Sequence, residues 1–131
     1  MGITTGVTTE AKLVFLSAVL NDNCKLALYT SQADIGPDTK AYTPEGEVRG
    51  QGYKPGGISL KGCRVWEDRG AACLTWDSPT FPNASVTAAG YMIYDASKSN
   101  KALFVASYGA EYTSSNGPFV ANLAADTIVF S

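Results

Sequence analysis

Short apolar runs, each closed by a cluster of Gly, Pro, Asn or Asp, predict an all-β protein: an antiparallel β-sandwich or partly closed barrel with one short N-terminal helix. Three observations carry this reading. About eight such runs follow one another at roughly ten-residue intervals. A single stretch near the N-terminus has apolar residues at helical spacing. A doubly wound α/β fold needs helices between successive strands, and one candidate helix does not supply them. No internal repeat or low-complexity linker divides the 131 residues, so one domain spanning 1–131 is expected.

The elements follow in order. Thr8 or Thr9 is placed to cap a helix over 9–20, whose apolar positions are Leu13, Leu16, Val19 and Leu20 and whose Glu10 favours the positive end of the helix dipole. Asn21, Asp22 and Asn23 end it, because their short side chains compete for backbone hydrogen bonds. A strand over LVFLSAVL is the rival reading. CKLALYT at 24–30 alternates as a strand, and SQADIGPDTKAYTPEG is a loop or meander rich in turn formers. A short strand is expected from Glu47 to Gly52, then a turn at YKPGG. Ile58 to Trp66 resumes as a strand and Ala71 to Trp76 as its hairpin partner, with the turn at Glu67 to Gly70.

DSPTFPN, with two prolines, breaks the pattern before a long strand at 85–95. Ser97 to Asn100 turn the chain, and KALFVASY at 101–108 returns antiparallel. Its nearly continuous apolar run predicts burial on both faces near the centre of the fold. PFVANL and TIVFS are two final strands separated by Ala124 to Asp126.

Composition narrows function. Hydrophobic residues make up 45% of the chain and charged residues 17%, below the roughly 25% of an average soluble domain. Little surface is therefore held in water by charge, which leaves room for partner contacts unless Thr, Ser and Asn supply the missing polarity. Ten Lys and Arg against twelve Asp and Glu give a net charge of -2, with no basic run, so neither nucleic acid nor an anionic membrane is expected as a partner. LVFLSAVL is too short to span a bilayer. MGITTGVTTEAK lacks the basic segment and apolar run of a secretory signal, so synthesis in a cytoplasm is expected. The three cysteines, Cys24, Cys63 and Cys73, are an odd number and read as buried thiols. Cys63 and Cys73 flank the expected hairpin turn, and a disulfide between them is the alternative.

The chain has no His, which removes the usual general base, the Ser-His-Asp and Cys-His arrangements and imidazole metal ligands. Glu45 with Glu47, or Glu67 with Asp68, are the nearest carboxylate pairs for acid–base work, but both fall in expected turns where solvated charge is the ordinary finding. Asp34, Asp38 and Glu45 offer oxygen ligands for calcium without the spacing of the twelve-residue calcium loop. GQG at 50–52 and PGG at 55–57 match neither GxGxxG nor the P-loop. No cofactor is expected and the protein reads as a non-enzyme. Trp66, Trp76, Phe81, Tyr91, Tyr94, Phe104, Tyr108 and Tyr112 fit core packing, with a sugar- or base-stacking platform as the alternative for some of them. Tyr42 and Tyr53 stand in the irregular region 31–57, where rings serve as interface anchors or turn inward to staple the loop.

Several motifs carry a resemblance that covers nearly the whole chain: ALYTS at Ala27 to Ser31, AYT at Ala41 to Thr43, EV at Glu47 to Val48, GYxxGG ending in Tyr53 to Gly57, NAxxTAxG at Asn83 to Gly90 and YDxxKSNKA at Tyr94 to Ala102. In this succession the chain resembles a family of small tailed-bacteriophage virion proteins. The resemblance implies a β-sandwich structural component of the head or its attachments, located in the virion and made in the bacterial host cytoplasm. Its partners would be other virion proteins, the major capsid protein or neck proteins, with self-association in the particle. A capsid cement or decoration protein is the leading form, a head-to-tail connector or tail component the alternative, and a carbohydrate-binding module the alternative of another class. The three cysteines and the charged WEDRGAA at 66–72 depart from the family's pattern.

Overall fold

The computed structural model describes residues 2–18, 23–124 and 127–130. One helix, α1 (Thr9–Ser17), precedes nine strands: β1 (Cys24–Tyr29), β2 (Ile58–Ser59), β3 (Arg64–Asp68), β4 (Ala71–Thr75), β5 (Thr80–Ala84), β6 (Thr87–Asp95), β7 (Lys101–Thr113), β8 (Gly117–Val120) and β9 (Ile128–Phe130). They form three antiparallel sheets with orders β2-β1-β6-β7, β3-β4-β9 and β5-β8, an all-β, sandwich-like arrangement as the strand pattern predicts.

α1 starts where expected. The Thr8 hydroxyl accepts from the Ala11 amide at 3.1 Å and fills one of the amides a helix start leaves open. The expected helical residues Val19 and Leu20 and the stop at Asn21 and Asp22 lie outside the described residues. None of α1 is fully buried. Thr9 Oγ1 and Lys12 Nζ both donate to the Gly70 carbonyl, Phe15 stacks on Phe130, and Leu16 meets the core, so the helix lies against β3 and β4. The hairpin it grips turns as foreseen, through Arg69 and Gly70 at φ +51° and +81°, both left-handed as a two-residue turn requires. In that hairpin Cys73 faces Trp66. Cys63 lies before β3 begins, so the two cysteines do not oppose one another, and all three are thiols.

β1 and β6 are the buried centre. Leu26, Leu28, Tyr91 and Ile93 point into the main core with Leu74, Phe81 and Phe119 from the two smaller sheets and Trp76, just after β4. The alternate residues Ala27, Tyr29, Met92 and Tyr94 form a second apolar layer beneath Ala33, Ile35 and Tyr42. The first part of the irregular segment 31–57, through Tyr42, thus covers the outer face of the main sheet, while Val48 and Tyr53 pack into the main core. That cover is why β1 and β6 can be apolar at nearly every position.

Four expectations change. The strand expected over 47–52 is two isolated bridges, Tyr29 to Glu47 and Gln51 to Ser85. Gly52 explains the close approach there: at φ +81° it lies so near β5 that a Cβ would stand 2.2 Å from the Asn83 carbonyl oxygen. The strand expected over 58–66 is interrupted between β2 and β3, with Gly62 at φ +70° in the break. DSPTFPN is not wholly loop, because Thr80–Ala84 pairs with β8; Pro82 falls within the register shift between Phe81 and Ala84, so its missing N–H breaks no ladder bond. Finally, β7 is not central. It runs five residues longer than expected, to Thr113, and ends the sheet order beyond β6. One register shift opposite β6, at Leu103, lets Leu103 join Phe104, Ala106 and Tyr108 on the main core while Ala102 and Val105 face the second layer, so both faces of the run are apolar.

Candidate functional site

The segment 31–57 is held by one carboxylate. Glu47 pairs with Tyr29 at an isolated bridge and is 7% exposed. Its Oε1 accepts the Tyr42 hydroxyl at 2.6 Å, and its Oε2 accepts the Tyr53 hydroxyl and the Gly56 amide, the latter at 2.9 Å. Tyr53 in turn accepts the Leu28 amide of β1 at 3.0 Å. Around this centre the Tyr94 hydroxyl donates to the Gly56 carbonyl at 2.6 Å, and the Tyr29 hydroxyl to the Thr43 carbonyl at 2.7 Å. Four phenols and one carboxylate therefore stitch residues 42–56 to β1 and β6, and a buried carboxylate answered by three donors is the arrangement that makes its burial tolerable. Gly57, at φ +83°, completes the closure: a Cβ there would meet the Leu26 carbonyl oxygen at 1.9 Å.

The phenols are locked in the protonated state. Burial, then the hydrogen bond to Glu47, pushes Tyr42 and Tyr53 well above the ordinary tyrosine value. Burial also raises Tyr29, against the lowering effect of its bond to Thr43. These groups hold protons rather than exchange them near neutrality, so the cluster is built to position backbone.

Tyr42 and Tyr53, the two anchors expected for an interface, both send their hydroxyls inward. The Tyr53 ring is buried and tilts against Phe81, with centroids 5.4 Å apart. Tyr42 is half-buried and stacks on Tyr94 at 4.9 Å. Glu45 is exposed while Glu47 is not, so that carboxylate pair shares no solvated turn. Glu67 and Asp68 end β3 as exposed charges. Asp34, Asp38 and Glu45 are exposed, and among the described residues no three His, Cys, Asp or Glu side chains gather as metal ligands. The sequence signal for Glu47 lay in its neighbours: the second of two acids between AYT and GYKPGG, with tyrosines on both sides.

A further carboxylate and thiol stand opposite one another where β1 begins and β6 ends, Cys24 facing Asp95. Asp95 is fully buried; its Oδ1 accepts the Ser97 amide and hydroxyl, and its Oδ2 the Lys98 ammonium at 3.2 Å. Burial, then Asp95, pushes the Cys24 thiol up to about 12, which keeps it an unreactive thiol.

The surface offers more than the loop. Between residues 29–35 and the second half of β7 runs a cleft of about 460 Å³, lined by Tyr29, Ser31, Ile35, Val105, Ser107 and Glu111. The outer side of β7 is capped at its start by residues 40–42, through the Ala102 amide on the Lys40 carbonyl and the Tyr42 amide on the Asn100 carbonyl. Beyond Ala102 no strand lies alongside it among the described residues. From Ala102 to Ala110 this edge carries no charge. Of the tyrosines and tryptophans, Tyr112 alone is mostly exposed, at 54%. Among the described residues, no helix is long and apolar enough to cross a membrane. No family model matches the chain, and no curated protein or solved structure matches it.

Proposed function

We propose that the protein is a non-enzymatic structural component of a tailed-bacteriophage particle, a decoration protein that binds repeated shell subunits. The observation that carries this reading is the edge of β7. Natural proteins guard long sheet edges with charge, proline or a covering segment. β7 leaves an uncharged edge running on from Ala102, next to a cover segment fixed by the Glu47 cluster. A rigid strand edge beside a braced loop suits docking onto a repeating surface, where symmetry multiplies weak contacts. The motif resemblance supports the same reading and supplies the class of partner: the major capsid protein, with neck proteins as the alternative.

In this reading the segment 31–57 is one contact surface. Tyr42, half-buried, keeps an outer edge for a partner, and Tyr53, buried in the main core, shares its Glu47 acceptor. Tyr42→Ala and Tyr53→Ala test the two roles through monomer melting and incorporation into particles lacking the protein. A stable Tyr42 variant that incorporates normally overturns the anchor. Copy counting by mass spectrometry of purified particles tests the location. A count on the order of hundreds supports the shell, roughly six or twelve favours a neck or tail ring, and absence from particles overturns the proposal.

A further inference from the structure

We infer that the protein self-associates head to tail, the N-terminal arm of one copy lying in the aromatic groove between β7 and β8 of the next. The inference goes beyond the decoration role, since it requires no shell. It starts from an arm that is exposed throughout and makes no backbone hydrogen bond among the described residues. Residues 2–8 are all exposed, Ile3 completely and Val7 at 57%. Residues 2–7 make no backbone hydrogen bond to the rest of the chain among the described residues. Yet the arm is patterned as a strand: Ile3, Thr5 and Val7 alternate with Thr4, Gly6 and Thr8, rich in β-branched side chains. Such a pattern has one apolar side, and that side is exposed.

The complementary surface lies at the far end of β7. A groove of about 390 Å³ is lined by Tyr108, Tyr112, Pro118, Phe119, Val120 and Asn122, with Thr113 and Ser114 at its margin. Tyr112 and Val120 form its exposed rim, at 54% and 45%. Tyr108 makes the floor, edge-on to Tyr112 at 5.7 Å. The strands on either side, β7 and β8, each stand at the end of their sheet, with one edge unpaired by another strand among the described residues. This is the combination an added strand needs: main-chain bonds for affinity and pockets for alternate side chains.

Charge selects the occupant. The groove lining contains no acid or base, and residues 2–8 contain none either, in a chain that carries ten basic and twelve acidic residues. Neither surface therefore loses charge hydration when they meet. The two surfaces share no residue, so the contact is heterologous and repeats from copy to copy, giving a ring where the rotation closes and an open array where it does not.

Photo-crosslinking decides the matter. A benzophenone amino acid replaces Ile3, isotopically light and heavy protein are mixed at up to about 1 mM, and crosslinked peptides are mapped. Crosslinks between light and heavy chains that land on 108–122 are expected, with light scattering showing dimers or larger species. Removing residues 2–7, which spares the capping Thr8, or substituting Val120→Glu should weaken association about thirtyfold or more while leaving the melting transition in place. A monomer at every concentration overturns the inference. So do crosslinks confined to one chain, or crosslinks landing on α1 or the middle of β7. A wild-type protein that stays monomeric yet enters particles normally would overturn it while leaving the decoration role standing.

Discussion

Two clusters of tyrosines sit at different places on the same main sheet, and their hydroxyls are treated in opposite ways. At the loop end, Tyr29, Tyr42, Tyr53 and Tyr94 each spend a hydroxyl on Glu47 or on a loop carbonyl. At the other, Tyr108 buries its hydroxyl with no partner among the described residues, packed between Tyr91 and Tyr112. Burial, then Tyr91, pushes its titration up to about 12. The first cluster uses aromatic rings as rigid struts with polar tips, and the second uses them as apolar surface. The lesson is that a loop rich in Pro and Gly needs directional bonds to hold one shape, whereas a strand already has its backbone bonds and asks of its tyrosines only area.

The largest effect should follow removal of the shared acceptor. Glu47→Ala leaves two phenols and the Gly56 amide without their partner and should destabilise the fold by about 4 kcal/mol, read as the shift in urea unfolding. A loss below about 1 kcal/mol would mean that the loop is not held by this carboxylate.

Next comes Tyr53→Phe, which keeps the ring against Phe81 but removes the bridge from Leu28 to Glu47; a loss of about 2 kcal/mol is expected. The same variant sharpens the comparison in alkali. A tyrosine whose folded value is raised keeps its proton while the unfolded chain loses it, so the stability it contributes is complete below 10.0, the ordinary tyrosine value, and drains away as pH rises above it. Each such phenol steepens that decline by up to about 1.4 kcal/mol per pH unit, and Tyr53→Phe should make the alkaline limb shallower by that amount. An unchanged slope would remove Tyr53 from the linkage.

The smallest effect is expected at the other end and has the opposite sign. Tyr108→Phe removes a buried hydroxyl that bonds to nothing described, and should leave stability unchanged or raise it by about 1 kcal/mol. A loss comparable to that of Tyr53→Phe would show that this hydroxyl has a partner and would erase the contrast.

How much of this was legible beforehand divides along a physical line. The cap at Thr8, the turn through Arg69 and Gly70 and the turn before Lys101 depend on a few neighbouring residues, so the sequence by itself determined them. Tertiary structure decided what depends on distant partners. KALFVASY shows which faces are apolar but carries no record of whether a strand lies beyond it along the hydrogen-bonding direction, and so it read as central where β7 is an edge. Glu47 read as a solvated turn charge because the donors that permit its burial come from Tyr42, Tyr53 and Gly56, which meet only when the loop folds back over β1. Pro82 read as a strand breaker until a register shift opposite β8 gave its missing N–H a harmless place. Local backbone chemistry is written in neighbouring residues, whereas sheet order, burial of charge and the tolerance of a bulge are properties of contacts between segments far apart in the chain.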